Sequence, residues 1–170
     1  MRLIGLDPGL KTTGWGVVDV SGSRIGHVAN GSVKTDARQA IGERLARLYD
    51  GLAAVIERLE PDEAAVEETF VNVNAASTLK LGLARGVVIL APARAGLPVA
   101  EYSANAIKKS VVGFGHAGKT QVQAMVRRLL PGVELAGADA ADALALAICH
   151  AHHAATRGTI ARALRAETAR

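Results

Sequence analysis

Two short apolar runs in this chain each end on an acid, and that pairing limits the available folds more than any other feature. Leu3-Ile4-Gly5-Leu6 runs into Asp7, and Ala64-Ala65-Val66 runs into Glu67. Runs of this length read as short buried strands, the first ended by the turn Asp7-Pro8-Gly9. If the two strands are parallel neighbours, both carboxylates emerge at one sheet edge, where α/β folds bind ligands.

The rest of the chain supplies the elements around such a sheet. Trp15–Val20 and Arg24–Val33 read as strands joined at Ser21-Gly22-Ser23, a hairpin turn. Ile41, Leu45, Leu48, Leu52, Val55 and Leu59 form one stripe of an amphipathic helix, with Asp36 as its N-cap and Pro61-Asp62 as its stop. A second helix is expected over Ser77–Ala95, closed by Gly96. Pro92 lies inside it, where an interior proline costs about 3 kcal/mol, so a kink or an early end is expected there. Val99–Tyr102 is a further strand, Ser103 caps a short helix, and residues 112–118 form a glycine-rich loop. Helices over Lys119–Leu130 and Ala138–Arg157 complete the chain. The pattern predicts an α/β domain with a five-stranded mixed sheet, three antiparallel strands then two parallel ones, flanked by helices. One domain over residues 1–157 is expected, with a basic tail, 158–170, that frays.

Only 3% of the 170 residues are aromatic although 49% are hydrophobic, so Ala, Val and Leu must build the core. A single cysteine, Cys149, excludes a disulfide framework and fits a reducing compartment. No apolar leader opens the chain, and the longest uncharged run, Ala143 to Thr156, is too short to span a bilayer. A soluble, cytoplasmic protein with no membrane partner is expected. Between Phe70 and Leu130 stand Lys80, Arg85, Arg94, Lys108, Lys109, Lys119, Arg127 and Arg128 against Glu101 alone. Singly, each basic residue reads as a solvated helix face. Together they suit a polyanion lying beside an acidic site.

Asp139 and Asp142 stand three apart on an Ala-rich helix and share one face. Asp7 alone is ordinary turn chemistry, Glu67 alone is weaker still, and an Asp pair can simply cap a helix. The set of four is what carries meaning. Gathered together, four carboxylates repel one another, and two Mg²⁺ would cancel their charge. Oxygen ligands favour Mg²⁺ or Mn²⁺ over zinc.

Gly5-Leu6-Asp7-Pro8-Gly9-Leu10, Glu67-Glu68-Thr69-Phe70, Val111-Val112-Gly113 with Lys119-Thr120-Gln121-Val122-Gln123, and Ala138-Asp139-Ala140-Ala141-Asp142-Ala143-Leu144 follow in that order. This ordered set resembles the RuvC Holliday-junction resolvases over residues 1–155. The resemblance implies a ribonuclease-H-like fold and a homodimer that cuts four-way DNA junctions. It also implies Mg²⁺-dependent paired nicks leaving ligatable ends, with two Mg²⁺ per site and Mn²⁺ able to substitute. Asp7, Glu67, Asp139 and Asp142 then match the catalytic, metal-binding carboxylates. Some relatives carry His at the position of Asp139, which leaves the division of metal binding between Asp139 and Asp142 open. Lys108 and Lys119 match basic residues near the active centre, Lys119 in a catalytic role. Phe70 matches an aromatic that meets DNA bases, and Asn74, Lys80 and Arg85 join it as DNA-binding residues. A RuvA–RuvB branch-migration complex is the expected further partner.

Gly113-Phe114-Gly115-His116-Ala117-Gly118-Lys119-Thr120 matches the phosphate-binding loop G-x-x-x-x-G-K-[ST] letter for letter. No buried strand precedes it and no Walker B acid follows, so no nucleotide partner is expected. A phosphate contact at the start of the next helix is the reading kept. Cys149, Trp15 and the His150, His152, His153 group read as structural, the histidines by a helix C-terminus. His27 and His116 carry no case. Three alternatives stay open: a YqgF-type nuclease acting on RNA, an actin-like sugar-kinase fragment, and a non-enzymatic junction-binding protein.

Overall fold

The computed structural model describes the backbone of residues 1–68 and 74–168, with side chains of the last helix described to residue 154 and at Thr156. Five strands form one sheet in the order β3-β2-β1-β4-β5. Strands β1 (Arg2–Asp7), β2 (Thr12–Ser21) and β3 (Arg24–Lys34) form an antiparallel meander. Strands β4 (Glu63–Glu68) and β5 (Val99–Ser103) add parallel to β1. The expected three-plus-two mixed sheet is therefore present.

Helices cover both faces of the sheet. On one face, α1 (Ile41–Leu59) and α2 (Ala75–Arg94) pack over Ile4, Leu6, Val17, Ala64 and Val66. On the other, α3 (Ala104–Val112), α4 (Lys119–Leu129) and α5 (Ala138–Thr168) pack over Leu3, Val18 and Ala65. Side chains alternate along a strand. Asp7 therefore projects on the same face as Leu3 and Gly5, and Glu67 on the same face as Ala65. Both acids face α5. That helix lies close on the sheet because β1 and β2 carry glycine beneath it. A Cβ at Gly5 would collide with the Ala143 carbonyl, and one at Gly14 with the Asp139 carbonyl.

Several local expectations need correction. Asp36 does not cap α1, whose N-cap is Ala40 with no side-chain bond. Its carboxylate is held by Arg38, through the backbone N–H at 2.9 Å and the guanidinium at 2.6 Å. Ile41, first in the apolar stripe, is exposed, and Ile56 is buried in the core instead. Helix α2 passes Pro92 and ends two residues later at Arg94, one residue short of the expected Ala95; Pro92 has no N–H to offer the Val88 carbonyl one turn back. Gly96 follows at φ +79°, the left-handed position that glycine fills at helix ends. Helix α5 runs past Arg157 to Thr168, so the three histidines lie mid-helix and not at its C-terminus. By length and composition α2 could cross a membrane, but it packs on α1 and bears Lys80 and Arg85.

Candidate active site

Strand register brings the two acid-terminated runs side by side. β1 and β4 are parallel with Leu6 opposite Val66, so Asp7 and Glu67 follow at the same edge. The first turns of α5 bring Asp142 to that edge, while Asp139 lies outside the cavity the other three share, near enough for its charge to act on Asp7. Asp7, Glu67 and Asp142 line one cavity of about 230 Å³ together with Lys108 from α3 and Lys119 from α4. Lys119 Nζ stands 3.5 Å from Asp142 Oδ2. A larger hollow of about 650 Å³ between β3 and α1 gathers Lys34, Glu43, Arg47 and Asp50, a mixed-charge surface without converging acids.

The electrostatics record how tightly the acids are held. Asp7 is pushed up to about 8, first by burial and then by Glu67, Asp142 and Asp139, with Lys119 opposing. Glu67 is raised by burial and by Asp142, and is drawn back by Lys108, Lys119 and a hydrogen bond with Asp7. Burial also raises Asp142, against the pull of Lys119. A proton on Asp7 thus relieves a cluster that could not stay fully ionised unaided. Among the described residues no three donors are already drawn around one point as metal ligands. The chemistry of the set nonetheless fits a hard divalent cation, since every donor is a carboxylate oxygen and the two lysines at the cavity wall leave the acids in excess.

The other expected site residues fall in different places. Asn74 caps α2, its Oδ1 accepting from the Ser77 N–H at 3.1 Å. Lys80 lies exposed on the same helix. Arg85 turns inward, paired with Glu101 on β5 and donating to the Glu67 carbonyl at 3.5 Å. Its charge is already met within the chain, and it holds α2 against the strand that carries Glu67. Phe70 lies outside the described residues. The Walker-like loop joins α3 to α4, where a nucleotide-binding loop would follow a strand. The Gly118 N–H, at the start of α4, is taken by Gln121 Oε1 at 2.8 Å.

Two features escaped the reading of the sequence. His150 is buried between Tyr102, whose hydroxyl lies 2.9 Å from Nδ1, and Glu63, 3.0 Å from Nε2. It ties α5 to β4 and β5 away from the acids. Lys11 and Lys34 border a second hollow whose wall includes Asp139. Neither lies in the basic stretch, and only the pairing of Thr12 with Lys34 brings them together.

Comparison with known proteins agrees with this arrangement. The model of the family described as "Crossover junction endodeoxyribonuclease RuvC" matches residues 3–150. A protein of that name from Paramagnetospirillum magneticum is 62% identical over 164 residues, spanning 96% of this chain and 99% of the relative. One from Rhodospirillum rubrum is 64% identical over 155 residues, spanning 91% and 92%. The structure of T. thermophilus RuvC in complex with Holliday junction substrate aligns with a TM-score of 0.85 at 36% identity, covering 92% of this chain and 96% of that one. The yeast mitochondrial Holliday junction resolvase Ydc2 shares the fold, with a TM-score of 0.63 at 14% identity over 88% of this chain and 77% of that one. The fold is ribonuclease-H-like. By the family match and by these relatives, the chain belongs to the RuvC family of crossover junction endodeoxyribonucleases.

Proposed function

We propose that this protein is a Mg²⁺-dependent endonuclease that resolves four-way DNA junctions by paired, symmetric nicks, in homologous recombination and DNA repair. The observation that carries the reading is the cavity in which Asp7, Glu67 and Asp142 meet Lys108 and Lys119. A protein that only bound junctions would gain nothing by holding these acids against one another. Asp7, Glu67, Asp139 and Asp142 are the residues that would hold the metal. Two bound Mg²⁺ (or Mn²⁺) would offset the carboxylate charge, activate water and stabilise the leaving oxygen.

The chain's own groups then have distinct tasks. Asp7 must give up its proton for the site to fill, so filling is favoured as pH rises towards 8. Lys119 and Lys108 put ammonium groups at the wall of the cavity. There they would meet the scissile phosphate and the negative charge that grows on it during cleavage. Arg85, through Glu101 and the Glu67 carbonyl, fixes the end of β4 and with it the Glu67 carboxylate. Phe70 and Asn74 lie three and seven residues after Glu67 and are proposed to meet the junction's bases and backbone.

A homodimer is part of this proposal, and α2 offers its face. Leu79, Leu83 and Leu90 are 67%, 42% and 48% exposed on one stripe of that helix. Gly82 and Gly86 lie on the same side with open space above them. Small residues there would let a second α2 approach closely. A twofold pair would present one active site to each of two strands of a junction that itself has twofold symmetry. The setting proposed is the cytoplasm, with a RuvA–RuvB complex moving the junction to the enzyme.

The test is incubation with a synthetic four-way junction whose core can migrate, with and without Mg²⁺. Resolution into two nicked duplexes that ligase can seal supports the proposal. An intact junction in Mg²⁺, or cutting of plain duplex at the same rate, overturns it.

A further inference from the structure

We propose that the hollow beside Asp139 is a second phosphate subsite, which grips a DNA backbone phosphate near, but distinct from, the scissile one. The inference rests on the nuclease reading above and adds a site on the opposite flank from Lys108 and Lys119. The hollow measures about 330 Å³, and its wall includes Lys11, Thr12, Ser32 and Lys34 as well as Asp139. In the sheet order, β2 and β3 lie to one side of β1, while β4 and β5, followed by α3, lie to the other. Two strand spacings, about 10 Å, separate β1 from β3. A strand crossing the carboxylates would therefore meet cations on both sides of the cut.

The backbone under the two lysines is braced. The Thr35 N–H donates to the Lys11 carbonyl at 3.0 Å, and the Thr35 hydroxyl donates to the Leu10 carbonyl at 2.5 Å. Arg44 donates to the Thr35 hydroxyl at 3.0 Å and to the Leu10 carbonyl at 3.2 Å. Arg47 donates to the Lys34 carbonyl at 2.9 Å. Helix α1 thus spends two guanidinium groups fixing the segments that present Lys11 and Lys34.

Lys11, just before β2, and Lys34, at the end of β3, bring two like charges to one hollow, which is unfavourable without an anion between them. Among the described residues neither lysine has an ion-pair partner. Asp139 is the one acid in the wall, and the proposed function assigns it to metal. Glu43 and Asp50 serve the neighbouring hollow, which Lys34 also borders. Two exposed lysines on braced backbone, with two hydroxyl-bearing residues around the same open hollow, suit a phosphodiester oxygen.

The experiment compares wild type with Lys11→Gln/Lys34→Gln on a labelled four-way junction. Binding is measured in EDTA over a range of salt, and single-turnover cleavage is measured in Mg²⁺ at saturating enzyme. Loss of the subsite should lower the slope of log K against log salt by about 1 to 2. Affinity near 0.1 M salt should fall about tenfold, and the loss should fall on Kd more than on the rate at saturation. Lys11→Arg/Lys34→Arg should keep the slope. The single variants Lys11→Gln and Lys34→Gln each carry part of the loss, which keeps the test open if the double variant misfolds. A wild-type slope and Kd in the Gln variants overturn the subsite. So does unchanged binding with a raised Mg²⁺ requirement, which would mean that the lysines only offset Asp139. Wild type that fails to cut the junction defeats the nuclease reading instead.

Discussion

Asp7→Asn should make the metal-free protein more stable at pH 8 while removing its activity. Burial and three neighbouring acids raise Asp7 from 3.8 to about 8. Between those values the folded protein keeps a proton that the unfolded chain releases. Wild-type stability is therefore highest at acid pH, as far as this group is concerned, and falls as pH rises through the window. At 1.36 kcal/mol per pH unit, the nominal loss is about 6 kcal/mol by pH 8. Sharing of the proton with Glu67 and residual access of water cut this to about 1–3 kcal/mol. Asparagine keeps the shape and cannot ionise, so it should recover that amount. For a domain of this size the gain corresponds to about 3–10 °C in Tm. Scanning calorimetry in EDTA at pH 8 and pH 5 reads it directly, and the gap should shrink at pH 5. Mg²⁺ should then raise the wild-type Tm, because it binds the folded form, and leave the variant nearly unmoved. A variant that melts at or below wild type at pH 8 would refute the reasoning, as would a gap that does not narrow towards pH 5.

Lys119→Ala should slow junction cleavage on the order of tenfold or more, measured in single turnover, because it removes a cation from the cavity wall. Calorimetry with Mg-ATP and Mg-GTP should show no heat above dilution, since the glycine-rich loop follows a helix. Leu83→Glu/Leu90→Glu should convert a dimer to a folded monomer by sedimentation, and an unchanged mass would move the interface off α2. Phe70→Ala should leave Tm nearly unchanged and slow junction cleavage, with about 1–3 kcal/mol of stacking lost per base. A large fall in Tm with full cleavage per folded molecule would place Phe70 in the core.

The sheet and its acid-bearing edge were legible because they depend on local pattern. β1 carries the run Leu3–Leu6 with Asp7 at its end, as the sequence implied, and the alternation along β1 and β4 sets which face Asp7 and Glu67 take. The Asp139–Asp142 spacing needed only helical geometry. What stayed hidden involves partners distant in the chain. Arg85 looked like one more cation for DNA until Glu101 on another strand claimed it. His150 looked like a helix-end residue, yet it binds Glu63 and Tyr102, which only the tertiary fold brings to it. Lys11 and Lys34 lie outside the basic stretch and become neighbours only through the β2–β3 register. The end of α5 was misplaced: it was expected at Arg157, and the helix continues to Thr168.

The central claim is that the acids at the sheet edge serve metal-dependent cutting and not the fold. Its most direct test is the single-turnover rate of junction cleavage by Asp7→Asn and Glu67→Gln in saturating Mg²⁺, with junction affinity measured alongside in EDTA. The account predicts rates about 100-fold or more below wild type, since even outer partners of a metal site cost about 10–100-fold, with Kd within about threefold of wild type. Full cleavage by either variant would contradict it.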